Sequence, residues 1–190
     1  MEKQRSVKEP LDEEEWIEAS KKDPEAFQFL FNKYYDAIYN FAYRRTLDRA
    51  LAQDIAAATF LKALENIRHY VYRGIPFSAW LYRIAVNEIN LNHRKRKRLI
   101  PLTPERALYL VHENRTDAHL LRQEENEEQI SRFEKIHRAI ASLKPIYQDA
   151  IALRYFEDKS IREIAVILDL SENTVKTHIH RGLQHLRKLL

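Results

Sequence analysis

The chain has 190 residues, 45% of them hydrophobic, a net charge of +4 and an isoelectric point near 9.2. It contains two glycines and no cysteine, which excludes a disulfide framework, thiolate metal sites and glycine-rich phosphate cradles, and argues against strand-rich folds whose turns lean on glycine. No stretch approaches the ~18 consecutive apolar residues of a membrane span, and Met1 to Glu14 lacks a signal-type apolar run, so the expectation is an all-α, cytoplasmic protein with no membrane insertion.

In chain order, residues 1–22 read as a tail and a short helix. Asp23-Pro24-Glu25 is a helix-start signal, with an acid to cap amides and a proline for the first helical position. Phe27, Leu30, Phe31, Tyr34, Ile38 and Phe41 then recur at helical spacing. A second amphipathic helix follows Thr46-Leu47-Asp48, with Leu51, Ile55, Ala58 or Thr59, and Leu61 or Ala63 facing inward. Arg68 to Pro76 holds the first glycine and a proline, and reads as a loop. A third helix runs from Phe77 into the basic run 94–98, with Trp80, Leu81, Ile84, Ala85 and Ile89 inward. Residues 23–98 thus form one small helical domain.

Pro101 and Pro104 open a linker over 99–128; residues 99–129 hold seven acids against three bases. Helical periodicity returns through Ile130, Phe133, Ile136, Ile140 and Leu143, and Pro145 starts a further helix. Ser160-Ile161-Arg162-Glu163 matches a capping box and opens a short helix ending near Leu168; Ser171 caps the last one. Residues 129–190 are therefore a second domain, a helix-turn-helix.

Charge separates into two basic poles: Arg94-Lys95-Arg96-Lys97-Arg98, and the stretch beyond Glu172, which carries Lys176, Arg181, Arg187, Lys188 and no acid. Two poles imply two places for a polyanion. In a helix-turn-helix the start of the second helix enters the major groove, which makes Ser171, Glu172, Asn173, Thr174, Lys176, Thr177, His178, His180 and Arg181 the candidate duplex readers. Of 20 aromatic residues, 15 precede residue 83. Tyr70, Tyr72 and Phe77 accompany His69 and Arg73 in or beside the loop, a composition suited to stacking unpaired bases. The run 94–98 would grip phosphates beside it.

These segments carry a specific resemblance. The passages 160–168 and 171–178 resemble the last conserved region of bacterial sigma factors. Asp23-Pro24-Glu25-Ala26-Phe27, Tyr34-Tyr35, Asp54 with Thr59 to Ala63, and Phe77 to Asn87 resemble the other conserved region, in the same order. Possession of these two regions alone is similar to the extracytoplasmic-function group of the sigma-70 family. The resemblance implies a transcription initiation factor that binds core RNA polymerase and promoter DNA, performs no catalysis and needs no cofactor or metal. It implies −35 recognition by the rear helix. It also implies −10 recognition and trapping of melted bases near Tyr70, Tyr72, Arg73, Phe77, Trp80, Arg83, Asn87 and the run Arg94, Lys95, Arg96, Lys97 and Arg98. Polymerase docking falls to Asp54, Phe60 and Leu61. An anti-sigma protein is a further candidate partner. Two departures stand out: Asp169 and Asn173 occupy positions often glycine, and Ala57 and Ala58 replace a polar or acidic pair. The competing reading from the residues alone is a stand-alone helix-turn-helix regulator of duplex DNA.

Overall fold

The computed structural model describes residues 12–72, 74–99, 135–136 and 138–189, the side chains of 96–99 excepted. Arg73, the Arg96, Lys97 and Arg98 side chains, the expected linker from residue 100 onward, and the periodic positions Ile130 and Phe133 lie outside the described residues. Among the described residues the architecture is all-α, and no helix is long and apolar enough to cross a membrane.

Helix α1 (Glu13–Lys22) starts where the Asp12 carboxylate accepts the Glu15 amide at 2.8 Å. Acids fill its first turn and lysines its last, both favourable against the helix dipole. The Asp23-Pro24-Glu25 signal produces a single 3₁₀ turn (Pro24–Ala26), because the Asp23 carboxylate bonds the amide only two residues on, at 3.0 Å. The long helix α2 (Phe27–Thr46) follows directly. It ends on Leu47 in the left-handed region at φ 54, a conformation costing a non-glycine residue about 1–2 kcal/mol. A 2.7 Å bond from the Leu47 amide to the Tyr43 carbonyl compensates, and Asp48 at once caps α3 (Arg49–Asn66) through the Leu51 amide at 2.9 Å.

The alternatives left open on α3 resolve by burial: Ile55, Thr59 and Ala63 face the core, Ala58 is half-buried, and Leu61 is 58% exposed. Thr59 is tolerated inside because its hydroxyl donates to the Ile55 carbonyl at 2.7 Å. A second 3₁₀ turn (Ile67–His69) leads into the loop, and α4 (Phe77–Leu99) begins at Phe77 as the periodicity implied. Leu30, Ile38, Phe41, Ile55, Phe77 and Leu81 are the deeply buried side chains of this front lobe.

The rear lobe comprises a helical stretch at 138–141, then α5 (Pro145–Tyr155), α6 (Ile161–Leu168) and α7 (Glu172–Leu189). Ile140 and Leu143 are buried beneath it, while Ile136 is 41% exposed. Helices α5 and α7 cross at Gly182, where an added Cβ would sit 2.5 Å from Ile151 Cδ1 and 3.4 Å from Tyr147 Cβ. Glycine is therefore required for close approach inside a helix it otherwise weakens. The two lobes are in contact: α4 packs on α6 and α2 on α5, and buried residues of both halves join one apolar cluster.

Substituting Gly182→Leu forces α5 and α7 apart. We expect a loss of about 2–3 kcal/mol, read as a lower urea midpoint in circular dichroism, with Gly182→Ala much milder because its helix-propensity gain of about 1 kcal/mol offsets part of the clash.

Candidate nucleic-acid interface

The rear surface is built by two caps and a turn. The Ser160 hydroxyl accepts the Glu163 amide at 3.2 Å, and a Glu163 carboxylate oxygen accepts the Ser160 amide at 2.8 Å, completing the capping box. Asp169 adopts the left-handed conformation at φ 58, so the turn forms without glycine. The Leu170 amide then closes back on the Ala165 carbonyl at 2.9 Å. Ser171 Oγ accepts the Thr174 amide at 3.2 Å and starts α7. Ile164 and Val175 are fully buried and Ile179 nearly so, which fixes the angle between the two helices.

That packing turns Ser171, Glu172, Asn173, Lys176, Thr177, His180 and Arg181 outward. Thr174 is half-buried. The Thr177 hydroxyl donates to the Asn173 carbonyl at 2.9 Å, occupying its donor within the helix. His178 is also half-buried; its ring lies 5.3 Å from that of Tyr147, and Nδ1 has no hydrogen-bond partner. His180 Nε2 pairs with Gln184 Nε2 at 3.0 Å. The two histidines thus occupy different settings, and among the described residues no cluster of three or more His, Asp or Glu could hold a metal.

The front surface centres on an open cavity of about 370 Å³ between α3, the loop and the first turns of α4, within the size range of small-ligand sites. Tyr70, Trp80 and Ile84 supply its apolar wall, and Lys62, Asn66, His69, Asn87 and Glu88 its polar one. Tyr70 lies 5.1 Å from both Phe77 and Trp80, edge-on to the first and tilted against the second. Burial raises the Tyr70 phenol above its ordinary pKa, with Glu13 and Tyr72 adding to the effect, so it stays a neutral hydrogen-bonding group. Lys62 Nζ pairs with Glu88 Oε1 at 2.5 Å across the cavity edge. The lysine is half exposed and the glutamate only 9% exposed, so the carboxylate has a fixed partner while the ammonium keeps access to solvent.

The expected front-lobe readers do not all share this place. Tyr70, Trp80 and Asn87 border the cavity. Phe77 is 1% exposed and supports its wall from behind. Tyr72 is 59% exposed beside a second cleft with Glu13, Glu14 and Lys21. Arg83 points away from the cavity and pairs with Asp169 of the rear lobe at 3.4 Å. Arg94 and Lys95 are exposed on the last turns of α4. Lys62, Asn66 and Glu88 escaped the sequence reading, since a cavity between helices leaves no mark in the periodicity of either.

On the far face of α2 and α3, Asp54 and Leu61 are exposed. Phe60 is 4% exposed and lies beneath them, its ring 4.9 Å from Phe31 and 6.1 Å from Tyr35. Phe31, Tyr35, Tyr39 and Tyr43, four residues apart, form a ladder of stacked or tilted rings along α2. Ala57 and Ala58 leave the neighbouring surface of α3 smooth.

Residues 30–99 match the family model described as Sigma-70 region 2, and residues 133–186 that of Sigma-70, region 4. The chain is 34% identical over 177 residues to the ECF RNA polymerase sigma factor SigW of Bacillus subtilis, covering 91% of this chain and 93% of that protein. It is 27% identical over 170 residues to the ECF RNA polymerase sigma factor BldN of Streptomyces coelicolor, covering 88% of this chain and 61% of that longer protein. Two solved structures share the fold. One is CnrH in complex with the cytosolic domain of CnrY (TM-score 0.63, 19% identity, 92% of this chain and 94% of that one). The other is RpoE in complex with the anti-sigma factor NepR from Bartonella quintana (TM-score 0.62, 20% identity, 86% and 95%).

The capping box makes the rear surface acid-sensitive. Desolvation pushes the Glu163 carboxyl upward, but hydrogen bonds from the Ser160 side chain and backbone, with Lys159 nearby, outweigh it and leave the group below its ordinary value of 4.5. A depressed folded-state value adds stability that is complete above the ordinary value and fades as pH falls through the folded one. We expect Glu163→Gln, which keeps the box but not the charge, to flatten the fall of melting temperature below about pH 4.5; parallel curves for variant and parent would show that this carboxylate contributes nothing.

Proposed function

The chain belongs to the sigma-70 family, as a sigma factor of the extracytoplasmic-function group that directs RNA polymerase to promoters, and we propose how its surfaces divide that work. The rear lobe reads intact duplex at the −35 element. Asn173, Lys176, Thr177 and Arg181 lie outward at the start of α7, and side chains of these types match base edges and phosphates in the major groove. Glu172 can accept from a cytosine amine at the same surface. His178, half-buried against Tyr147, orients the helix more than it reads DNA.

The front lobe holds melted strand at the −10 element. The carrying observation is the cavity whose aromatic wall (Tyr70, Trp80) faces a rim of amide and charged groups (Lys62, Asn87, Glu88). A base leaving the duplex stack loses a few kcal/mol, and stacking with edge hydrogen bonds returns it. Lys62 and Asn87 are placed to contact such a base or its phosphate, and Arg94 and Lys95 supply backbone attraction along α4. The exposed Asp54 and Leu61, supported by Phe60 and flanked by the aromatic ladder of α2, form the polymerase-docking face. The basic run's remaining residues, Arg96, Lys97 and Arg98, and loop residue Arg73 belong to the same phosphate-contacting set. Residues 23–98 and 129–190 serve as the two functional units, with 99–128 joining them. The chain works in the cytoplasm, where the polymerase is, and an anti-sigma protein is its proposed inhibitor.

Run-off transcription with core polymerase and the purified chain tests this division. Trp80→Ala and Lys62→Ala should each lower promoter opening at least tenfold while leaving binding to a −35 duplex unchanged. Arg181→Ala should weaken that duplex binding by about 1–3 kcal/mol and leave opening of a pre-melted promoter unchanged. Replacing both Arg94 and Lys95 by alanine should reduce the slope of log affinity against log salt by about 2. If the chain never joined core polymerase, the division would fall and a self-sufficient duplex binder would replace it.

A further inference from the structure

Helix α1 precedes the segment matched by the region 2 family model, residues 30–99, yet it is tied to the aromatic wall of the front cavity. Packing anchors it: Ile17 is 5% exposed, and the Trp16 ring stacks on Phe29 at 5.8 Å. Its first residue adds a polar tie. One carboxylate oxygen of Glu13 accepts from both Lys33 Nζ, at 2.6 Å, and the Tyr34 hydroxyl. Lys33 also lies 5.4 Å over the Trp16 ring and 5.2 Å over that of Tyr34. Two consecutive residues of α2 therefore hold Glu13 in place. The Tyr34 hydroxyl is partly buried, so it needs an acceptor, and a carboxylate bonds it more strongly than a neutral group would.

From Tyr34 the contacts run to the cavity. The Tyr34 ring lies 6.0 Å from Phe77, and Phe77 lies 5.1 Å from Tyr70 and 5.4 Å from Trp80. Tyr70 also meets α1 directly. It borders both the front cavity and a cleft of about 250 Å³ between α1 and the loop, lined by Glu13 and Ile17 among others. The Tyr70 side chain is thus a partition between the two spaces. Phe77 and Trp80 support it on the cavity side, and α1 limits the space on the other. A close-packed ring that loses support on one side relaxes toward the gap. Neither Glu13 nor Tyr34 borders the front cavity itself, so any effect they have there passes through the rings between.

We infer that Glu13 and Tyr34 are positioning residues for the aromatic wall: their hydrogen bond braces α1 against α2 and, through Phe77, keeps Tyr70 and Trp80 set to receive an unpaired base. The dependence of promoter opening on this brace rests on the proposed function; the brace itself does not. Because Trp16 and Ile17 anchor α1 independently, loss of the Glu13 bond loosens the wall without detaching the helix. The duplex-reading surface of α7 is built from other residues and keeps its affinity.

The chain has two tryptophans, so Trp16→Phe, which keeps a ring against Phe29, leaves Trp80 as the single fluorescent reporter of the wall. In this background Glu13→Ala should raise acrylamide quenching of Trp80 in the free full-length chain about twofold, with helical circular dichroism unchanged. Glu13→Gln, whose amide oxygen still accepts from Tyr34, should recover most of the protection. Tyr34→Phe keeps the ring and loses only the donor; it should raise quenching too, and it decides the matter should Glu13→Ala fail to fold. Combining Glu13→Ala with Tyr34→Phe should add little, since both remove one bond. Unchanged quenching in both single variants, a rise as large in Glu13→Gln as in Glu13→Ala, or fully additive effects overturns the brace. In run-off assays with core polymerase and Trp16 restored, Glu13→Ala should slow promoter opening about fivefold, the size of one hydrogen bond. Glu13→Gln should recover most of that rate, and binding to a −35 duplex and to core polymerase should be unchanged. Opening at the parent rate, or an equal fall in −35 binding, overturns the positioning role. Quenching is read without polymerase or DNA, so a failure of the proposed function would show as absent transcription from parent and variants alike while the quenching changes persist.

Discussion

Phe77 opens α4 at 1% exposure, packed at 6.0, 5.1 and 5.4 Å from the rings of Tyr34, Tyr70 and Trp80. Most of what the front lobe offers to a ligand depends on this cluster. A loop of seven residues, 70–76, around a glycine at positive φ has many conformations open to it, and ordering it costs backbone entropy of roughly 1–2 kcal/mol per residue. Burying Phe77 and most of Tyr70 offsets part of that cost and ties both ends of the loop to the core. With the loop ends fixed, Trp80 presents its ring to the cavity between α3 and α4. The same cluster reaches α1, because Tyr34 donates its hydroxyl to Glu13. Burial, and then that hydrogen bond, hold the Tyr34 phenol protonated far above its ordinary range.

The rear lobe solves a different problem with fewer residues. Its helix α6 has only eight residues and is marginal by itself. The capping box, the left-handed Asp169 and the Ser171 cap satisfy the end groups that a short helix would otherwise leave to water. Ile164 and Val175 then need only interlock to set the angle between α6 and α7. Gly182 permits α7 to lie directly against α5. These constraints leave the outward face of α7 free of structural duty, which is why it can be polar and basic.

Charge is placed with the same economy. Arg187 and Lys188 of α7 and Arg94 and Lys95 of α4 are exposed to solvent, where attraction to a polyanion is strong at low salt and screened at high salt. Arg45 is the opposite case. A buried guanidinium is tolerated only with a well-oriented acceptor, and it finds one in Asp149 of the rear lobe, while the partly exposed Arg44 pairs with Glu157 beside it. Tyr82 completes that network. Burial first, and then Glu157, keep its phenol protonated, so the hydroxyl remains a donor throughout the neutral range.

The sequence by itself determined the elements and their chemistry. Periodicity placed the core faces of α2, α3 and α4, short-range capping rules placed the start of α3, α6 and α7, and the scarcity of glycine ruled toward helices; all of these are local rules acting over one or two turns. Most of the outward residues of α7 were legible for the same reason, since the small core around Ile164, Val175 and Ile179 dictates which side faces out; Thr174 and His178, expected outward too, are half-buried. Only the tertiary structure decided that Phe77 is a buried prop instead of a surface aromatic, that Asp23 begins a 3₁₀ turn instead of α2 itself, and that Lys62 and Glu88, 26 residues apart, share a cavity edge. It alone brought Arg45 to Asp149 across 104 positions. A pairing between distant helices depends on how whole faces stack, and no spacing within either helix records it.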